Sequence, residues 1–160
     1  MLKPGSPAPP FTLPDQDGTP VTLHGLLAAG PLLLYFYPAD FTPGCTREAC
    51  GIRDLHTDIL RVGLGVVGVS PQSPESHRRF RDRYALPFRL LCDADKAVIR
   101  AYDLDGPLGF GVRRGTYLIG ANGSIEAAVL ADLRIAEHEQ FIREAIRLRD
   151  RAAGARGPTT

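Results

Sequence analysis

Two cysteines five residues apart carry the densest chemistry in this chain of 160 residues. They close the string Tyr35-Phe-Tyr-Pro-Ala-Asp-Phe-Thr-Pro-Gly-Cys-Thr-Arg-Glu-Ala-Cys50. Thr42 reads as a helix cap and Pro43 as the first helical residue, where the N–H that proline lacks would go unused. Cys45 then falls in the first turn, where unpaired backbone N–H groups and the helix dipole favour an anion. The thiolate, which is the nucleophilic form of cysteine, is such an anion. The competing reading leaves Cys45 as a small packed residue behind an ordinary cap. Cys50 weighs against it. Residues five apart in an intact helix have α-carbons about 8.6 Å apart, whereas a disulfide spans about 7 Å at most. The two cysteines can bond only if the helix start unwinds, which suits a transient catalytic disulfide better than a structural staple.

The elements that must hold this pair follow from punctuation and periodicity. The opening through Gly30 is rich in proline and glycine. It has extended pieces at residues 11–13 and 21–23 around the turn Gln16-Asp17-Gly18-Thr19, which predicts a small N-terminal hairpin. Pro31 to Tyr37 is a continuous apolar run, read as a strand buried on both faces. A helix from Thr42 to about Arg61 shows Ala49, Ile52, Leu55 and Ile59 at helical spacing, and Gly63 ends it. Leu64 to Ser70 is a second buried strand. Ser73-Pro74-Glu75 opens a helix to about Tyr84. Arg89 to Cys92 reads as a short strand and Ala94 to Tyr102 as a short helix. Gly115 to Ile119 and Ile125 to Leu130 flank the hairpin signal Ala121-Asn122-Gly123. A last helix runs from Ile135 to about Arg151, with Ile135, Ile142, Ala145 and Ile146 on one face. Gly154 to Thr160 is expected to be a flexible tail. Alternating strands and helices followed by a hairpin and a helix describe an α/β, thioredoxin-like fold. It has a mixed central sheet flanked by helices, and residues 1–160 are expected to form one domain.

Pro38, Thr42 and Cys45 match the Pro-x-x-x-Thr/Ser-x-x-Cys active-site motif of peroxiredoxins. With a second cysteine five residues on, the chain resembles the peroxiredoxin Q type, also called bacterioferritin comigratory protein. The resemblance runs from about Gly5 to Ala145. It takes in Val69-Ser70-Pro71 through Ser76-His77, Phe80 to Tyr84, Leu86-Pro87-Phe88, Leu90-Leu91-Cys92-Asp93 and Arg114-Gly115-Thr116-Tyr117-Leu118-Ile119. It implies a thiol-dependent peroxidase for hydrogen peroxide and small organic hydroperoxides. Cys45 would be oxidised to a sulfenic acid, Cys50 would resolve it as a disulfide, and thioredoxin or a similar dithiol protein would reduce that bond.

The resemblance also assigns supporting roles. Thr42 would supply a hydroxyl to the thiolate and the peroxide oxygen, and Pro38 would shield the sulfur from water. Arg114 would stabilise the thiolate and the charge across the breaking O–O bond. Glu48, one helical turn from Cys45, would hold Arg114 by a bidentate pair. Read from the residues alone, Glu48 could equally be a solvated helix residue and Arg114 a surface one. Arg113 competes with Arg114, and strand alternation allows only one of them to face Cys45. Three departures from the family pattern stand out. Cys92 takes the place of a serine-like residue and is expected to be a buried small hydrophobe. Gly120 replaces a frequent aspartate, and the stretch Asp103 to Gly111 differs from the usual linker.

Bulk properties narrow the alternatives. A net charge of +1 gives no reason to expect nucleic acid or anionic lipid as a partner. No apolar run approaches the roughly 20 residues that span a bilayer. Met1 to Pro10 hold four prolines and no apolar stretch, which reads against a secretory leader. Three cysteines are too few for a disulfide framework, so a reducing, cytoplasmic setting is expected. His24, His56, His77 and His138 lack ligand spacing, and neither a metal nor another cofactor is expected. A bond within one chain needs no second copy, so a monomer is expected. Two other functions compete: a thioredoxin-type reductase, which normally needs Cys-x-x-Cys, and a thioredoxin-fold binding module or peroxide sensor.

Overall fold

The computed structural model describes residues 1–155, so the expected tail beyond Ala155 lies outside the described residues. A hairpin of β1 (Thr12–Pro14) and β2 (Pro20–Thr22) opens the chain. Asp15 shapes its turn by accepting from the backbone N–H groups of Asp17 and Thr19 at 2.9 and 3.0 Å. The next element departs from expectation. Residues 23–28 form a short helix, α1 (Leu23–Ala28), where an extended piece was read as far as Leu23 and no element beyond it. Its signal is local, because the Thr22 hydroxyl caps the Gly25 N–H at 2.9 Å.

The central sheet has the order β5-β4-β3-β6-β7. Its strands are β3 (Leu32–Phe36), β4 (Gly65–Ser70), β5 (Arg89–Cys92), β6 (Gly115–Ile119) and β7 (Ile125–Leu130). β3, β4 and β5 run parallel, β6 is antiparallel to β3, and β7 is antiparallel to β6. Between the strands lie α2 (Pro43–Arg61), α3 (Pro74–Tyr84) and α4 (Ala97–Ala101), and α5 (Ile135–Ala155) follows β7. α5 continues four residues past the expected end. α4 starts late because Lys96 adopts a left-handed conformation (φ 59°) and the Asp93 carboxylate accepts from the N–H groups of Val98 and Ile99.

β3 explains why its run is apolar throughout. Leu33, Tyr35 and Tyr37 pack with α2 residues Ala49, Ile52, Leu55 and Ile59 and with Ile142 of α5. Leu32, Leu34 and Phe36 alternate to the opposite face, against Phe11, Val69, Ile99 and Tyr117. β3 is thereby clamped on both faces, and the loop at its carboxyl end leads directly into α2. Gly68 on β4 makes room for Tyr35, since a β-carbon there would stand 2.7 Å from the Tyr35 ring. Gly120, where the family often has aspartate, already faces the carboxylate of Glu126 2.5 Å from an added β-carbon.

Candidate active site

α2 begins at Pro43, with Thr42 as an extended cap residue, so Cys45 occupies the first turn as expected. The cap itself works differently from the prediction. The Thr42 hydroxyl makes no capping bond; it donates to the carbonyl of Ala39 at 3.0 Å and is not bonded to Cys45. Cys45 is 1% exposed, Cys50 is half-buried further along the same unbroken helix, and both are free thiols.

β6 brings Arg114 to the sulfur. Its Nη2 donates to Cys45 Sγ at 3.2 Å, and its Nη1 donates to the Glu48 carboxylate. Arg113, one residue earlier in the segment leading into β6, points outward instead and pairs with Asp132 at 2.9 Å across an exposed surface. Asp132 also accepts from the Arg114 backbone N–H at 2.9 Å, fixing the point where the chain turns inward. Gly44 allows this approach, because a β-carbon there would lie 3.2 Å from Arg114 Nη2. Burial works against the Arg114 charge, and Glu48 and Cys45 more than offset it, holding the guanidinium above its ordinary value.

Glu48 is buried, not solvated. Burial pushes its carboxyl up to about 7, although Arg114 pulls the other way. Behind the pair lies His138 of α5, which spacing alone had left unassigned. Its Nε2 donates to the Ala131 carbonyl at 2.9 Å, Nδ1 is bonded to the Thr116 hydroxyl at 2.9 Å, and Nδ1 stands 3.5 Å from Glu48 Oε1. Burial lowers the pKa of this imidazole.

Pro38 is half-buried at the mouth of the site. Together with Arg114, Phe110 and Leu133 it lines an open groove of about 440 Å³. Phe110 and Leu133 are 79% and 92% exposed, so the lip is apolar. The loop bearing Phe110 is the stretch that departs from the family pattern. Lys96 pins it by donating to the carbonyls of Gly109 and Gly111 at 2.8 and 3.0 Å. Cys92 ends β5, buried, and burial pushes its thiol up.

A buried cysteine at a helix start, touched by an arginine that a carboxylate holds, is the core of the arrangement implied by the sequence resemblance, although Glu48 takes Arg114 Nη1 alone and not the expected bidentate pair. The AhpC/TSA family model matches residues 4–128. The chain is a peroxiredoxin of that family. Peroxiredoxins are thiol-dependent peroxidases. The chain is 39% identical to peroxiredoxin Bcp of Escherichia coli over 147 residues, covering 88% of this chain and 93% of that protein. It is 44% identical over 124 residues to the chloroplastic peroxiredoxin Q of Sedum lineare, covering 76% of this chain and 66% of the plant protein. The crystal structure of peroxidoxin BcpB from Mycobacterium tuberculosis superposes with a TM-score of 0.86 at 33% identity, covering 92% of this peroxiredoxin and 98% of that one. The thioredoxin-like fold, with its mixed sheet and N-terminal hairpin, is therefore the family's fold.

Proposed function

We propose that Cys45 is the peroxidatic thiol of this peroxiredoxin, that Cys50 is its resolving thiol, and that the whole cycle resides in one domain. The observation that carries this reading is the contact from Arg114 Nη2 to Cys45 Sγ at 3.2 Å on a buried sulfur in the first turn of α2. The thiolate attacks one peroxide oxygen, the O–O bond breaks, and the other oxygen leaves as water or an alcohol after taking a proton. Cys45 becomes a sulfenic acid. The Cys50 sulfur then attacks Cys45 Sγ, water leaves, and a disulfide remains. An external dithiol of the thioredoxin kind returns both cysteines to thiols.

The neighbours have distinct parts. Arg114 supplies fixed positive charge to the thiolate and to the oxygens as charge moves between them. Glu48 aims Arg114, Pro38 limits water at the sulfur, and Thr42 exchanges its Ala39 bond for the incoming peroxide. The apolar lip at Phe110 and Leu133 suits small organic hydroperoxides as well as hydrogen peroxide. Three free thiols fit a reducing, cytoplasmic setting, and the pairing of Cys45 with Cys50 lets a monomer complete the cycle.

The test is hydrogen peroxide consumption with thioredoxin, thioredoxin reductase and NADPH, for wild type, Cys45→Ser and Cys50→Ser. Wild type should turn over, Cys45→Ser should be inert, and Cys50→Ser should react once and stop as a sulfenic acid. Peroxide left untouched by fully reduced wild type would overturn the assignment.

A further inference from the structure

The loop from β3 to α2 is fastened by a buried network that the peroxidase chemistry leaves unused. Asp40, five residues before Cys45, is 8% exposed. Its Oδ1 accepts from the Tyr37 hydroxyl at 2.6 Å, and its Oδ2 accepts from the Ser76 hydroxyl at 2.8 Å. The same Oδ2 is hydrogen-bonded to His77 Nδ1 at 2.7 Å. His77 is wholly buried, and its Nε2 donates to the Leu91 carbonyl at 3.1 Å, tying α3 to β5. Gln72 adds two more ties, accepting from the Asp40 N–H at 3.1 Å and donating to the Pro38 carbonyl at 3.2 Å.

The side-chain partners of Asp40, apart from Tyr37, lie on α3, and Gln72 lies between β4 and α3, so none of these ties is to α2. That placement bears on the catalytic cycle. Cys45 meets peroxide while its turn is wound against Arg114, and it meets Cys50 only after that turn unwinds, because the intact helix separates them too widely for a disulfide. The loop is the amino-terminal anchor of the turn that must move. Building a buried carboxylate into an anchor with three side-chain partners makes each opening break charge-assisted bonds.

Resting on the proposed roles of Cys45 and Cys50, we propose that Asp40 and His77 are positioning residues whose latch sets the balance between the wound form that reacts with peroxide and the unwound form that makes the disulfide. A tight latch prolongs the life of the sulfenic acid. A second peroxide can then oxidise it to the sulfinic acid, its other oxygen leaving as water or an alcohol. A loose latch favours the disulfide.

Asp40→Asn and Tyr37→Phe weaken the latch from its two sides without touching Cys45. Loss of one such buried bond should raise the unwound population about tenfold, which corresponds to roughly 1.4 kcal/mol. Rapid-quench mass spectrometry, with the sulfenic acid trapped by dimedone, should show disulfide formation about tenfold faster. The peroxide concentration that half-converts Cys45 to the sulfinic acid should rise by a similar factor, and the first oxidation should change less than twofold while the wound form still dominates. Amide exchange of residues 45–49 in the reduced protein, which needs no catalysis, should speed up by the same factor.

Ile125→Val, at a buried position in β7 on the other face of the sheet, serves as the control for general loss of stability. If it accelerates disulfide formation as much as Asp40→Asn does, or if both latch variants melt lower yet leave exchange and disulfide formation unchanged, the proposal fails. If Asp40→Asn does not fold, Tyr37→Phe decides by the same readouts. Wild type that forms no sulfenic acid would instead sink the assignment of Cys45, an outcome separate from the exchange result.

Discussion

Glu48→Gln isolates what it costs to keep a carboxylate behind the reactive cysteine. The substitution preserves size and an oxygen to accept from Arg114, and it removes the ionisation. Burial raises the Glu48 carboxyl to about 7 in the folded protein, against 4.5 for the ordinary group. Between those values the folded chain holds a proton that the unfolded chain has released. Stability therefore falls as pH rises through this window, by about 1.4 kcal/mol per pH unit where the difference is complete. Integrating both titrations from pH 5 to pH 8 gives a loss of roughly 2–3 kcal/mol from Glu48.

The assay is urea unfolding of wild type and Glu48→Gln at pH 5 and pH 8, followed by far-UV circular dichroism because the chain lacks tryptophan. Groups that do not interact with Glu48 cancel in the double difference, so the variant should gain roughly 2–3 kcal/mol relative to wild type between the two pH values. Among the ionisable groups near Glu48, Arg114 stays charged throughout, the buried Tyr35 hydroxyl is pushed well above its ordinary value and stays protonated, and His138, with its lowered pKa, is neutral at pH 8. Parallel pH responses for the two proteins would refute the reasoning, because they would mean that Glu48 titrates equally in the folded and unfolded chains.

Three other substitutions have separable outcomes. Arg114→Ala should lower kcat/KM for peroxide by roughly 10²–10³-fold, as loss of a preorganised donor does, whereas Arg113→Ala should change it less than twofold and shift urea stability by less than about 1 kcal/mol. Gly44→Ala should slow sulfenic acid formation by up to about tenfold, because its methyl displaces Arg114 Nη2; the melting temperature should not fall, since alanine is the better helix former. Gly68→Ala should cost about 1–3 kcal/mol in urea unfolding, because the added methyl meets the clamped ring of Tyr35 at 2.7 Å.

Much of the site was legible because its signals are local. Thr42, Pro43 and Gly44 announce a helix start, and the unbroken apolar run of β3 announces a strand covered on both faces. Alternation says only that one of Arg113 and Arg114 can face Cys45, and the register of the family resemblance, two residues before Thr116, points to Arg114. The parts that escaped are held together over long sequence distances. Asp40 and His77 are 37 residues apart and belong to a loop and a helix that no periodic pattern joins. His138 reaches Glu48 only because α5 packs on α2, and a histidine without ligand spacing gives no hint of that. α1 was missed for the opposite reason, since it has too few residues to show a helical period.

In the proposed cycle the first turn of α2 serves two states, and its residues are suited to both. At a helix start the earliest N–H groups have no intrahelical partner in any case, so unwinding one turn loses fewer backbone bonds than breaking the middle of a helix. Pro43 has no N–H to lose, and the Thr42 hydroxyl makes no capping bond that would resist opening. Gly44 favours the unwound chain through its conformational freedom, while its missing β-carbon admits Arg114 to the sulfur in the wound form. Beyond this turn Ala49, Ile52, Leu55 and Ile59 anchor α2 to the sheet, so unwinding can stop before Ile52. On the proposed roles of Cys45 and Cys50, the sequence Thr42-Pro43-Gly44-Cys45 therefore sets the thiol on a turn that opens at low cost, with the buried ties at Asp40 and the Arg114 contact to Cys45 resisting the opening.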